Sequence, residues 1–239
     1  MEGQKGGGRT GTSSGADDSI AKMSTGKFEP TFTPAAGRDL FLPFYDPLMR
    51  LLGFDRLRNA LLEQAELRSQ HRVLDVGCGT GTLAILVQRL NPSVGVVGLD
   101  PDARALARAR RKAERAGVAV RFDQGSAEAL PYPDAAFDRV FSSLMFHHLR
   151  KDQKDAMLRE VRRVLAPGGR LEFLDFAQPG ASVHGFLARV VHSHAELRDN
   201  VDDRIVERLA HAELVEPRRV REQVTLFGRV GFFQASAPR

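Results

Sequence analysis

Val73-Leu74-Asp75-Val76-Gly77-Cys78-Gly79-Thr80-Gly81-Thr82 runs a short apolar stretch into an acid and then through three glycines toward a helical pattern. Glycines 77, 79 and 81 lack the Cβ atoms that would hold a ligand off the backbone, and they admit unusual φ values. The start of the following helix offers free N–H groups. The dinucleotide fingerprint G-x-G-x-x-G needs Gly at its sixth position, where this chain has Thr82, so a nicotinamide or flavin reading loses ground. No Gly-Lys-Ser/Thr follows, which excludes a P-loop.

Outward from this loop, short β-rich runs alternate with helical patterns, the signature of βαβ units and a parallel sheet covered on both faces. Strands are expected at Arg72–Val76, Val94–Leu99, Val118–Phe122, Arg139–Ser142 and Arg170–Asp175. Helices are expected at Thr82–Arg89, Asp102–Ala116 and Gln153–Leu165, the last stopped by Pro167-Gly168-Gly169. Two amphipathic patterns, Asp46–Leu52 and Phe54–Leu67, precede the sheet. One or two further helices fall within Gly180–Leu214. Val215–Arg221 and Val224–Ala235 read as a closing pair of strands with Glu222-Gln223 near the turn. Residues 1–27 are rich in Gly, Ser, Thr and Lys and are expected to be a disordered tail. Residues 28–239 form one domain, with a helical N-terminal segment at 28–67 and a helical cap segment at 180–214.

The 239 residues are 42% hydrophobic and 27% charged, which suits a buried core and excludes collagenous, coiled-coil and membrane-spanning classes. One Cys closes no intramolecular disulfide, and a reducing cytoplasm is the natural location. No secretory signal or myristoylation start is present. Lys and Arg total 35 against 30 acids, a net charge of +5 that favours phosphates or an anionic membrane without demanding either. Much of the excess lies between Arg104 and Arg115, with Arg218, Arg219 and Arg221 beyond. The first run reads as a solvated helix face, since no aromatics interleave as base stacking would require.

About 25 residues after Asp75, at the end of the next strand, Asp100 in Val97-Gly98-Leu99-Asp100-Pro101 can accept from both hydroxyls of a ribose. Further along come Phe122-Asp123-Gln124-Gly125-Ser126-Ala127, Phe137-Asp138-Arg139-Val140 and Leu165-Ala166-Pro167-Gly168-Gly169-Arg170-Leu171. This ordered set, from about Leu67 to Asp175, resembles the class I S-adenosylmethionine-dependent methyltransferases, in the branch of the ubiquinone and menaquinone C-methyltransferases. The resemblance implies an α/β fold, Rossmann-like and doubly wound. Its seven-stranded sheet would be mostly parallel with an antiparallel closing strand.

By that resemblance Gly77, Cys78, Gly79 and Gly81 wrap the methionine part of S-adenosylmethionine, and Asp75 turns toward its amino group. Asp100 binds the ribose and Pro101 lies against the adenine. Ser126 stands where the family commonly has an acid; its hydroxyl still accepts from the adenine amino group, though less strongly than a carboxylate. The Ala127 N–H reads the ring, and Ser142 or Ser143 faces the methionine end.

Methyl transfer from a sulfonium needs alignment and dryness, and a base only when the acceptor must lose a proton. His147, His148 and Asp175, at the rim where open sheets bind ligands, are the candidate catalytic residues. His184, His192 and His194 lie in the cap segment, and the two-residue spacing of the last pair argues against a shared metal. No metal is expected. Phe41, Phe44, Tyr45, Met145 and Phe186 are candidates to line an apolar acceptor pocket.

The Pro-Pro-aromatic tetrapeptide of amino-group methylases is replaced by Ser142-Ser143-Leu144-Met145, which disfavours nucleic acid as substrate. A small apolar acceptor remains: a quinone precursor, lipid or phenol. Peripheral contact with an anionic membrane is compatible with the charge. Two alternatives stand beside this reading, a cofactor-binding protein without methyl transfer or with another sulfonium-dependent reaction, and a nicotinamide-dependent oxidoreductase. The sequence is silent on oligomeric state.

Overall fold

The computed structural model describes residues 53–179, 202–225 and 228–239. Helix α1 is Phe54–Gln64, followed by β1 (Arg72–Val76), α2 (Thr82–Leu90), β2 (Gly95–Asp100), α3 (Ala103–Ala116) and β3 (Val120–Gln124). Then come β4 (Phe137–Ser143), a 3₁₀ turn at Phe146–His148, α4 (Lys151–Val164), β5 (Leu165–Pro179), α5 (Asp202–His211), β6 (Val215–Thr225) and β7 (Gly228–Ser236). The strands form one sheet in the order β3-β2-β1-β4-β5-β7-β6. β1 to β5 pair in parallel, and β7 is antiparallel to both β5 and β6. The chain therefore reverses its direction of winding between β1 and β4, the point where open α/β sheets bind ligands.

Alternation along the strands feeds two cores. Val73 and Phe141 face Leu57, Leu83, Leu106 and Phe122 on the side of α1, α2 and α3. Leu74, Val76 and Phe173 face Met157, Leu158, Val161, Ile205 and Leu209 on the side of α4 and α5. Each such fully buried side chain contributes roughly 1.5–3 kcal/mol relative to exposure.

Several boundaries differ from the sequence-based expectations for local reasons. α4 begins at Lys151, two residues before Gln153, because Gln153 folds back to accept the Arg150 N–H at 3.0 Å. It ends at Val164, since Leu165 already pairs with Phe137 in the sheet. α1 stops at Gln64, well before Leu67, because arginines cap its end. Arg139 donates to Ala65 O at 2.9 Å, and Arg170 to Gln64 O and Ala65 O at 3.0 and 2.7 Å. β6 runs straight through Glu222 and Gln223, which pair with Gly231 and Val230, so the turn lies past Thr225 and not at Glu222-Gln223. α3 matches its expectation, with Asp102 accepting the Arg104 N–H at one end and Gly117 at φ 65° closing the other. The tail at 1–27, the pattern at Asp46–Leu52 and most of the cap segment lie outside the described residues.

Gly98 of β2 is where the sheet and loop meet most tightly. A Cβ there would come within 2.9 Å of Cys78 Sγ and of the Phe122 ring. Gly98→Ala should cost about 1–3 kcal/mol through overpacking. Urea unfolding checks this as a lowered midpoint with unchanged slope; an unchanged midpoint would mean that Cys78 and Phe122 shift freely.

Candidate active site

At the carboxyl ends of β1 and β2 the chain is held by a small set of hydrogen bonds. Leu99 O accepts the N–H groups of Gly77 and Cys78 at 2.8 and 3.0 Å. The Asp100 carboxylate accepts the Gly79 N–H at 2.8 Å and the Asp102 N–H at 2.9 Å. The intervening residues cross from one strand end to the next in left-handed conformation, with φ of 71°, 52° and 73° at Gly77, Gly79 and Gly81. Glycine tolerates that region without penalty.

The three glycines are not equivalent. A Cβ on Gly77 would fall 2.3 Å from Met145 Cγ, and one on Gly81 within 2.9 Å of Phe122 and Ala109. Their bare Cα atoms serve packing. Gly79 alone of the three leaves open space, so the ligand-facing surface of the loop is centred there.

Asp75 is fully enclosed beneath the loop. It accepts from the Ala84 N–H in the first turn of α2, yet its Oδ2 is buried without a hydrogen-bond partner. Burial pushes its carboxyl up to about 7 against the pull of the Ala84 N–H and Arg58. Burial also raises Asp100, against the backbone donors of Asp102 and Gly79. Each Asp100 oxygen has one backbone donor, which leaves acceptor capacity for a further hydroxyl. Cys78 is buried and its thiol is raised by burial and the nearby carboxylates, so it is a packing residue and not a nucleophile.

The remaining sequence candidates are placed as follows. Pro101 is half-buried, and its carbonyl accepts from Gln124 Nε2 at 3.1 Å. Gly125 N–H donates to Asp100 O, bringing Ser126 and Ala127 beside Asp100. Ser126 Oγ accepts the Glu128 N–H at 3.3 Å, and Ala127 packs into the core. Ser142 is in register with Val76, fully buried, with an Oγ that has no partner; Ser143 is half-buried. Phe41, Phe44, Tyr45, His184, Phe186, His192 and His194 lie outside the described residues.

Past β4, Leu144 at φ 56° turns the chain and donates its N–H to Leu174 O. The 3₁₀ turn then sets His147 against Asp175, with Nδ1 2.8 Å from Oδ1. Asp175 also accepts from the backbone N–H groups of His147 and Phe176 at 3.3 and 2.7 Å. Both residues are buried. His148 is exposed and its ring lies 3.9 Å from that of His147, centroid to centroid. Nδ1 is thus the ring nitrogen that faces the Asp175 carboxyl, and Nε2 is the one turned away from it.

Sequence reasoning missed the brace behind the loop. Lys112 Nζ donates to Thr80 Oγ1 and Thr82 Oγ1 at 3.2 and 2.7 Å, while Arg110 reaches Phe122 O at 2.7 Å. The expected solvated face of α3 therefore sends two of its cations back to the fold. Nothing in a run of six basic residues marks which ones return.

Among the described residues no cluster of three or more His, Cys, Asp or Glu is placed to hold a metal. No described helix is long and apolar enough to cross a membrane.

The family pattern described as "Methyltransferase domain" matches residues 73–169, from β1 to the start of β5. The demethylmenaquinone methyltransferase of Thermus thermophilus is 43% identical over 151 residues, covering 62% of this chain and 68% of that protein. That of Deinococcus radiodurans is 41% identical over 155 residues, 64% of each. The chain thus spans about two thirds of both relatives. Among solved structures, Haemonchus contortus phosphoethanolamine N-methyltransferase 2 in complex with S-adenosyl-L-methionine superposes with a TM-score of 0.64. That match has 16% identity over 77% of this chain and 53% of the other, a likeness of fold. The chain belongs to the class I S-adenosylmethionine-dependent methyltransferases, in their ubiquinone/menaquinone branch. Its cofactor is S-adenosylmethionine, and the nicotinamide and non-transferase alternatives fall away. The site fits that cofactor: the space over Gly79 lies beside Asp100, and the partnerless Asp75 Oδ2 awaits a donor.

Asp75 makes stability depend on pH. Between 3.8 and about 7 the folded protein keeps a proton that the unfolded chain has lost, so stability falls as pH rises through that window. Asp75→Asn keeps an acceptor for Ala84 and removes the titration. At pH 8 the ligand-free variant should be the more stable by up to about 4 kcal/mol, reckoned at about 1.4 kcal/mol per pH unit. Urea unfolding at pH 5 and pH 8 checks this, and parallel profiles would contradict it.

Proposed function

We propose that the enzyme transfers a methyl group to a small apolar acceptor of the quinone-precursor type. The 43% identity to a demethylmenaquinone methyltransferase carries this reading. When bound, S-adenosylmethionine supplies an electrophilic methyl group on a sulfonium. Gly77, Cys78, Gly79 and Gly81 shape the loop around its methionine part, and Asp75 receives its ammonium. Asp100 takes the ribose hydroxyls, with Pro101, Ser126 and Ala127 about the adenine and Ser142 and Ser143 at the methionine end. On the acceptor side, His147 Nε2 takes the proton that the acceptor loses as its new bond to methyl forms. Asp175 holds His147 in the required tautomer, and His148 stacks on its outer side. A cytoplasmic enzyme touching an anionic membrane suits an acceptor that partitions into lipid.

Turnover is the direct test. Incubation with S-adenosylmethionine and a reduced demethylnaphthoquinone should give S-adenosylhomocysteine and a product heavier by one methylene. Calorimetric binding of S-adenosylhomocysteine without turnover of quinols, phenols or lipids would overturn the acceptor assignment while keeping the cofactor site. His147→Gln should lower kcat by about 10²–10⁴-fold and leave S-adenosylhomocysteine affinity unchanged. An undiminished kcat would remove the base from the mechanism.

Affinity for S-adenosylhomocysteine should rise with pH up to about 7 and level off above it, because its ammonium pairs with ionised Asp75. In Asp75→Asn this rise should vanish, as read by calorimetry at pH 6 and pH 8.

A further inference from the structure

Lys154 stands in the first turn of α4 and is only 1% exposed. Two costs attach to a lysine there. An ammonium loses its hydration on burial, and a cation in the first turn faces the positive end of the helix dipole. The methyl-transfer chemistry assigned to Asp75, Asp100 and His147 makes no use of it.

The side chain is directed at the 3₁₀ turn. Its Nζ lies over the Phe146 ring, 5.5 Å from the centroid, within the range over which a cation is drawn to an aromatic face, and the attraction grows when both partners are desolvated. Long helical side chains lean toward the helix N-terminus, and that end of α4 is the one that follows the turn.

Phe146 is the first residue of the turn and is itself 1% exposed. Its ring meets Phe173 of β5 edge to face, with centroids 5.0 Å apart. Its carbonyl accepts the Leu149 N–H, and Met145 O accepts the His148 N–H, both at 3.0 Å. The next ring, His147, meets Phe176 in the same manner at 5.0 Å. Phe173 belongs to the core on the α4 side and Phe176 to the core on the α1 side, so the turn straddles the end of β5. Phe146 is gripped on one side of the sheet and His147 on the other. A shift of Phe146 therefore carries the adjoining His147 with it.

We propose that Lys154 is a positioning residue for His147: its ammonium holds Phe146 against Phe173 and so fixes the turn on which the His147 ring is set. The effect on turnover rests on His147 being the base, whereas the hold on the turn does not.

The test uses the whole chain as wild type, Lys154→Met, Lys154→Arg and Phe146→Leu. Methionine keeps an apolar stem without the charge, and arginine keeps a cation that stacks on aromatic faces. Amide hydrogen exchange comes first, since it needs no acceptor. In Lys154→Met the N–H groups of His148 and Leu149 should exchange about tenfold faster or more, with those of Leu74 and Val97 in the sheet unchanged. Affinity for S-adenosylhomocysteine should also be unchanged. Phe146→Leu should behave alike, adding Lys154→Met to it should change nothing further, and Lys154→Arg should restore most of the protection. Turnover with a reduced demethylnaphthoquinone is the second readout. Lys154→Met should lower kcat by about tenfold or more with KM for S-adenosylmethionine unchanged, and should lower it no further in His147→Gln.

Unchanged exchange at the turn, or acceleration shared equally by the strands in every variant, overturns the proposal. Turn-specific acceleration with an undiminished kcat also overturns it where His147→Gln is impaired, because the turn would then not set the base. An undiminished kcat in His147→Gln, or no turnover of any acceptor, fails the base or the acceptor reading instead. Turn-specific acceleration reversed by arginine then still upholds Lys154 as the residue that sets His147.

Discussion

One carbonyl and one carboxylate join the ends of β1 and β2. Leu99 O collects the N–H groups of Gly77 and Cys78, and Asp100 collects those of Gly79 and Asp102. Backbone donors at the end of a strand must find partners when they leave the sheet. Those of Gly77, Cys78 and Gly79 find them on the neighbouring strand and not within their own turn. The chain must cross sideways to do so, and the left-handed φ values at 77, 79 and 81 are the geometric result. The crossing also delivers α2 with its first turn over Asp75 and ties the loop to the β2–α3 connection. The glycine loop and the sheet edge are consequently one unit.

The same arrangement sets the electrostatics of the site. Asp75 and Asp100 are both buried, both raised by desolvation, and each lies in the other's field or among other acids. Among the described residues neither has a cation named in direct contact, and Arg58 acts on Asp75 through its field. A site built this way is unfavourable to anions and favourable to a ligand that brings an ammonium and hydroxyl donors.

The core of the fold was legible because it rests on local chemistry. Asp75 ending an apolar run, glycines at alternate positions, Asp102 and Gly117 bracketing α3, and Asp100 closing the next run each act over a few residues. The βαβ alternation follows from them, whereas the doubly wound order of the strands was implied only by the family resemblance. What escaped the sequence depends on distant partners. The end of α1 is decided by Arg139 and Arg170, more than 70 residues away. The length of β6 is decided by its register with β7, which overrides a polar Glu222-Gln223 pair that resembles a turn. Lys112 escaped for the same reason, as one member of a basic run, and Met145, a candidate pocket residue, was not foreseen as the side chain packed against Gly77. The glycine loop itself was expected between β1 and α2, where it lies, but its division of labour was not foreseen. Close packing against Met145, Phe122 and Ala109 is a tertiary fact that no local pattern encodes.

That division of labour bears on how the glycine loop and the His147 turn are kept in alignment. Displacement at a sulfonium gains its rate chiefly from holding donor and acceptor in line and excluding water. Met145 lies directly over the Gly77 Cα, and the next residues form the 3₁₀ turn that carries His147. Leu144 fixes the entry to that turn by its bond to Leu174 O, and Asp175 fixes the exit by accepting both the ring and the backbone N–H of His147. The glycine loop and the His147 turn thus share a contact on one side and are anchored to strand ends on the other. Any side chain at position 77 would push Met145, and with it the turn, away from the loop. The bare Cα at Gly77 accordingly serves packing: it lets the glycine loop and the turn that carries His147 close on each other and hold a fixed separation.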